Sequence, residues 1–234
     1  MKRMIIAIDG PSSAGKSTVA KLVAKELGIR YLNTGAMYRA LAYLVRLNGI
    51  EPEDKKKVSE LGDVAKVTVE YDGDIQNTFV NGVNVSDCIG SQSNGQDAST
   101  ISTYKRVRAP LVREQRRYGR AFDLVADGRD MGTKVFPDAP FWFYLTAPDE
   151  TRARWRAREK HGEDAPVHYA QVLEEVRKRD KQDMNRKHDP LPSEKEAKDL
   201  GAIVVQADQF DGAEAVSQFI AGIIKQSMAG EHRA

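Results

Sequence analysis

The sequence predicts an α/β fold: a five-stranded parallel sheet with helices on both faces and a small antiparallel β lobe inserted. Three observations predict it. Short apolar, β-branched runs at Met4–Asp9, Gly28–Leu32, Phe122–Ala126, Phe141–Thr146 and Ala202–Gln206 alternate with segments of helical periodicity, the pattern of a parallel sheet covered on both faces. The first run leads into Gly10-Pro11-Ser12-Ser13-Ala14-Gly15-Lys16-Ser17-Thr18, a complete G-x-x-x-x-G-K-[ST] between strand and helix. Finally, Val64–Asp72, Ile75–Val80 and Val83–Val85 are separated by Asp72-Gly73-Asp74 and Asn81-Gly82, which are strong hairpin signals.

Each remaining element follows in chain order. Val19, Ala20, Leu22, Val23, Ala24 and Leu27 mark the first helix, stopped by Gly28. After the second strand, Asn33-Thr34-Gly35 reads as a polar turn, and Met37, Tyr38, Leu41, Leu44 and Val45 mark an amphipathic helix closed by Asn48-Gly49. Arg39 sits in its first turns, where a cation opposes the helix dipole and an anionic ligand would offset that. A short charged helix is expected within 51–62, and residues 86–104 give no clear pattern. From Tyr104 the chain turns basic and helical, with Pro110 as the expected start or bend of the helix. Helices are further expected over Asp149–Lys160, Tyr169–Met184 and Ala213–Met228, with a frayed tail after Gly230.

The Gly-rich turn carries the first piece of chemistry. Its backbone amides and the helix N-terminus behind it suit phosphate. Lys16 would reach the β- and γ-phosphates, and the Ser17 hydroxyl is placed for Mg²⁺. Asp127, at the carboxyl end of the third sheet strand, points into the crevice where α/β sheets bind ligands. It is a candidate for Mg²⁺ or substrate, with Arg129 and Asp130 beside it.

Composition bounds the rest. The chain has 234 residues and a formal net charge of +2, so one core with inserts is expected and a general nucleic-acid binder is not. Cys88 is the only cysteine, which excludes an intrachain disulfide and a Cys-rich metal site. With no leader or long apolar span in view, a cytoplasmic setting is expected. His161, His168, His188 and His232 lack metal-ligand spacing and read as structural or surface residues. Arginines cluster at 106–120 and 152–158. Most of the first group reads as a solvated face. The two-residue steps of Arg152, Arg154, Arg156 and Arg158 allow only one or two to face a common ligand. No Asn-Lys-x-Asp base-reading motif appears, and arginines lie in several ligand-facing elements. This favours phosphoryl transfer between two polyanions over a switch.

Asp9–Thr18 (DGPSSAGKST), Asn33–Arg39 (NTGAMYR), Ala126–Gly132 (ADGRDMG) with Phe136–Ala139, and Arg179–Arg186 (RDKQDMNR) together resemble the bacterial cytidylate kinases, in the same order over nearly the whole chain. The resemblance implies the P-loop nucleoside monophosphate kinase fold as one domain over 1–234. Within it, residues 63–90 would form the monophosphate-binding lobe and 149–165 an Arg-bearing lid. It implies Mg²⁺-assisted transfer from ATP, bound by Gly10–Thr18, to CMP or dCMP; a monomer with no nucleic-acid or membrane partner is expected. Arg39, Arg129 and Arg179 would surround the CMP phosphate and Asp183 would accept from the ribose. Ser99, Arg108, Asp130 and Arg186 would read cytosine, while Arg152 and Arg156 would approach the transferring phosphoryl group. A related kinase for UMP or a metabolite, and a nucleotide-dependent RNA-binding module, are the other readings. The chain departs from the family pattern at Asn33-Thr34, in the polar stretch Gly90–Thr103 and over 187–201.

Overall fold

The computed structural model describes residues 3–231, so His232 and the end of the tail lie outside the described residues. The chain opens with β1 (Ile5–Asp9), then α1 (Lys16–Leu27), β2 (Arg30–Asn33) and α2 (Thr34–Leu47). No polar turn separates β2 from α2. Asn33 is itself the N-cap, its side chain accepting from the Ala36 amide at 3.0 Å, which satisfies one of the helix's free donors. α3 (Lys55–Val64) takes up Val64, expected in a strand, as its exposed last residue. β3 (Val67–Asp72), β4 (Ile75–Val80) and β5 (Val83–Asn84) form the antiparallel three-stranded sheet. Asn81 and Gly82 both adopt positive φ between β4 and β5, at 51° and 81°, the requirement of that tight turn.

The unassigned stretch holds α4 (Gln92–Ile101), N-capped by Ser91 through the Asn94 amide. α5 (Lys105–Ala121) starts before Pro110 and runs through it. The proline cannot bond the Arg106 carbonyl and crowds it, a cost borne by a helix whose Val107, Leu111, Val112 and Tyr118 are buried. β6 (Leu124–Asp127) leads into a single π-helical turn, Met131–Val135, absent from the sequence expectations. Then follow β7 (Phe141–Thr146), α6 (Asp149–His161), α7 (Ala165–Asn185), α8 (Glu194–Asp199), β8 (Ile203–Gln206) and α9 (Gly212–Glu231). α8 was also unforeseen. It is short but carries a complete capping box between Ser193 and Glu196.

The main sheet has the order β2-β6-β1-β7-β8, with every pairing parallel. Alternate residues of each strand face opposite layers, as the two-residue period requires. Ala7, Leu32, Leu124 and Ala126 pack toward α2 and α5, whereas Ile6, Ile8, Val125, Phe143 and Leu145 pack toward α1 and α9. Both faces are therefore covered, as the strand–helix alternation predicts. The small sheet is tied to the main one in two places. The Gln76 amide brackets the Asn33 backbone, accepting from its N–H at 2.7 Å and donating to its carbonyl at 3.2 Å. The Tyr71 hydroxyl reaches the Tyr31 carbonyl at 3.1 Å. No helix among the described residues is long and apolar enough to cross a membrane.

Candidate active site

A cleft of about 1270 Å³ opens at the carboxyl ends of the strands, where open α/β sheets bind ligands. One wall is the Gly-rich loop. Gly10 lies against β7, and a Cβ there would stand 2.0 Å from the Leu145 carbonyl oxygen, so only glycine fits. Ser13 and Gly15 both take left-handed backbone, with φ 56° and 79°. Gly15 caps α1 without a side-chain bond, leaving first-turn amides free for an anion. Lys16 is 5 % exposed and donates from Nζ to the Pro11 carbonyl. Burial, then the nearby Arg129, pull its pKa well below the ordinary lysine value.

Beside the loop, the Ser17 hydroxyl donates to Asp127 Oδ2 at 2.8 Å and the Tyr31 hydroxyl to Oδ1 at 2.7 Å. Thr34 Oγ1 donates to the Asp127 carbonyl at 2.7 Å. These bonds fix a carboxylate against a hydroxyl at the mouth of the phosphate loop, a pair of hard oxygens that fits Mg²⁺.

Opposite Lys16 stands a group of arginines. Arg129 Nε donates to Asp183 Oδ2 at 2.8 Å, in a pair whose side chains are 19 % and 6 % exposed. Arg39 donates to the carbonyls of Ile89 and Ser91 at 3.0 and 2.9 Å. The buried Arg179 Nε has no hydrogen-bond partner among the described residues. Burial, with Arg129 next, lowers its pKa to about 10. Arg156 lies near enough to depress the pKa values of both Arg39 and Arg179, while donating to Glu159 at 2.6 Å. Four guanidinium groups thus converge with too few carboxylates to balance them, an arrangement that an anion completes.

The far end of the cleft is polar but nearly neutral. Arg108 bonds Asp130 through Nη2 and Asp189 through Nε, the latter at 2.8 Å. Arg186 Nη2 approaches Asp130 Oδ1 at 3.1 Å without hydrogen-bond alignment, and its Nε donates to the Asp189 carbonyl at 2.6 Å. Ser99 Oγ and the Tyr38 hydroxyl are buried here without partners among the described residues. Unsatisfied buried polar groups facing a cleft are free to read a polar ligand edge.

The cleft therefore gathers Lys16, Ser17, Arg39, Ser99, Arg108, Asp127, Arg129, Asp130, Arg156, Arg179, Asp183 and Arg186 from across the sequence. Arg152 is the one expected arginine that does not line it. It turns inward, 6 % exposed, to bond Ala147, Ser12 and Asp180. Of the other arginines of the 106–120 cluster, Arg106, Arg113, Arg117 and Arg120 are exposed, with Arg106 on Asp63 and Arg117 on Glu114, while the half-buried Arg116 donates to the Lys134 and Val135 carbonyls. Three further residues escaped the sequence reading. Tyr38 occupies an apolar position of an amphipathic helix, which gives its hydroxyl no role. Asp180 is one charge within a charged run. Asp9 accepts from the Met131 and Gly132 amides, both at 2.8 Å, and from Trp142 Nε1 at 2.9 Å. It anchors the π-helical turn just after Asp130, although burial pushes its pKa up to about 6. A carboxylate ending a buried strand was the only signal available for it.

Gly95 of α4 gives a first test of this geometry. A Cβ there would lie 2.6 Å from Arg39 Nη2, while alanine favours a helix interior by about 1 kcal/mol over glycine. Gly95→Ala is expected to leave the melting temperature unchanged or raised. If Arg39 holds the acceptor phosphate as the resemblance implies, the same change should raise acceptor KM about tenfold through a displaced Arg39. Steady-state kinetics beside a thermal melt check both halves.

The chain matches the family model described as cytidylate kinase over residues 6–225. It is 41% identical over 222 residues to a cytidylate kinase of Caldanaerobacter subterraneus subsp. tengcongensis, covering 95% of both chains. A cytidylate kinase of Clostridium botulinum (strain Loch Maree / Type A3) is 37% identical over 226 residues, covering 97% of this chain and 100% of that one. A bifunctional pantoate ligase/cytidylate kinase of Prochlorococcus marinus is 44% identical over 194 residues, covering 82% of this chain and 38% of that protein. With the match running from β1 into α9, the chain belongs to the cytidylate kinase family.

Proposed function

We propose that the protein transfers the γ-phosphoryl group of ATP to CMP or dCMP, giving ADP and CDP or dCDP, and that it does so as a monomer, since one chain supplies the whole cleft. The observation that carries this is the unbalanced arginine group facing Lys16, with the Arg179 Nε unpartnered among the described residues. An acceptor phosphate oxygen attacks the γ-phosphorus, the bond from that phosphorus to the β,γ-bridging oxygen breaks, and ADP leaves. Such transfer needs alignment and charge neutralisation more than a protein nucleophile.

In this reading Gly10–Thr18 cradles the ATP phosphates and Lys16 neutralises charge on the transferring group. Ser17 and Asp127 hold Mg²⁺, which neutralises phosphate charge when bound. Arg39, Arg129 and Arg179 fix the acceptor phosphate, and Arg156 approaches from α6 as transfer proceeds. Asp183 accepts from the ribose. Ser99, Arg108, Asp130 and Arg186 meet the cytosine edge, where exchanging the amine for a carbonyl leaves buried groups unpaired. The lobe at 63–90 grips the monophosphate and the segment 149–165 acts as a lid that excludes water, both as parts of one domain.

An ADP-release assay with CMP, dCMP, UMP and AMP as acceptors tests this reading. Turnover with CMP and dCMP is expected, with UMP at least tenfold poorer in kcat/KM and AMP poorer still. No acceleration by any pyrimidine monophosphate rejects it.

A further inference from the structure

The donor loop and the acceptor cradle come from distant parts of the chain, yet α7 touches both. Toward the cradle it presents Arg179 and Asp183. Asp180, between them, reaches the donor loop instead, its Oδ1 accepting the Ser12 amide at 2.7 Å. Its Oδ2 accepts from Arg152 Nη1 at 2.6 Å, and the same Nη1 donates to the Ser12 carbonyl at 2.7 Å. Arg152 is braced in turn by Nε on the Ala147 carbonyl at 2.8 Å. Both polar groups of the Ser12 backbone are thus held by one ion pair, whose side chains are 7 % and 11 % exposed.

A buried ion pair is a poor stabiliser, because desolvation offsets its attraction, and apolar replacements often match it. What this pair supplies is position. It links a loop that must sit in register with a helix that carries the acceptor ligands. An error of about 1 Å between reacting atoms can cost a hundredfold in rate.

We propose that Asp180 and Arg152 are positioning residues that set the donor loop against the acceptor cradle, so that the attacking oxygen and the γ-phosphorus meet in line. The role rests on the CMP kinase reading and replaces direct contact of Arg152 with the phosphoryl group.

The test compares Asp180→Asn, Arg152→Met and the double variant, each with kinetics and a melt by circular dichroism. The single variants are expected to lose about 30- to 100-fold in kcat, with KM for CMP and ATP within about threefold. The double variant is expected to be no slower than the worse single, because both changes break one link. Should a single variant fail to fold around its stranded charge, the double variant, which removes both charges, carries the test and is expected to fold with the same kcat loss. Losses that multiply in the double variant would show Arg152 acting apart from Asp180 and overturn the proposal. A kcat within about twofold of the parent, or a KM rise with kcat kept, overturns it equally. Absence of CMP turnover in the unaltered protein overturns the functional reading and this role together. Parental turnover matched by the double variant overturns the role alone.

Discussion

Lys16→Ala is expected to lower kcat by about 10³-fold with little change in melting temperature. The loss follows from what the ammonium does in transfer, where charge accumulates on oxygens between donor and acceptor. Removing one preorganised donor from such a site costs on the order of 10²–10³ in rate. The small stability change follows from its surroundings. Lys16 is buried and its charged form is disfavoured there, with a backbone carbonyl as its hydrogen-bond partner. Its removal therefore strands no carboxylate. Single-turnover rates at saturating ATP and CMP, beside a thermal melt, check the two halves separately. A near-parental rate would remove Lys16 from the reaction.

Arg129→Ala is expected to act on both function and fold. KM for CMP should rise at least about 30-fold, as the proposed role of Arg129 on the acceptor phosphate requires, while binding of an ATP analogue changes by less than about threefold. Stability should fall by about 1–3 kcal/mol, because the buried Asp183 loses its hydrogen-bonded partner and keeps only the nearby charges of Arg179 and Arg186. The double variant Arg129→Ala/Asp183→Ala separates the two effects. It is expected to recover much of the stability and none of the CMP binding. Calorimetric titration with CMP and a denaturant melt read each quantity. Unchanged CMP affinity in Arg129→Ala would take this arginine out of the acceptor site.

Much of the architecture was legible because local and global requirements agree. The five sheet strands are continuous apolar runs since both their faces are covered, and the Asn81-Gly82 turn adopts the left-handed backbone its composition allows. α4 was not legible: a helix built of Gln, Ser, Asn, Gly and Thr buries Ala98 and Ile101 but offers little apolar periodicity. The π-helical turn has no sequence period at all and exists through tertiary bonds to Asp9. Pro110 does not start α5, which begins at Lys105, because the buried Val107, Leu111, Val112 and Tyr118 hold the helix together across it.

In the cleft, Lys16 and Ser17 could be found because phosphate chemistry fixes their type and spacing, and Asp127 because it ends a buried parallel strand. The direction of an arginine could not. Of those in α6, Arg154 stays exposed, Arg156 lines the cleft and Arg152 turns beneath the loop. Only the packing of α6 on α7 decides between these fates. Tyr38 shows the same limit from the other side, since an aromatic at a core position gives no sign that its hydroxyl will be left without a partner among the described residues.

The bond between Ser12 and Asp180 spans 168 residues. During synthesis the N-terminal loop leaves the ribosome long before the helix that fastens it, so a nascent or truncated chain ending ahead of α7 carries an ATP-binding sequence with its clasp missing. Closing so long a span is among the slower steps open to a folding chain. Competence to transfer phosphate is therefore expected only once α7 has been made and has packed against the loop.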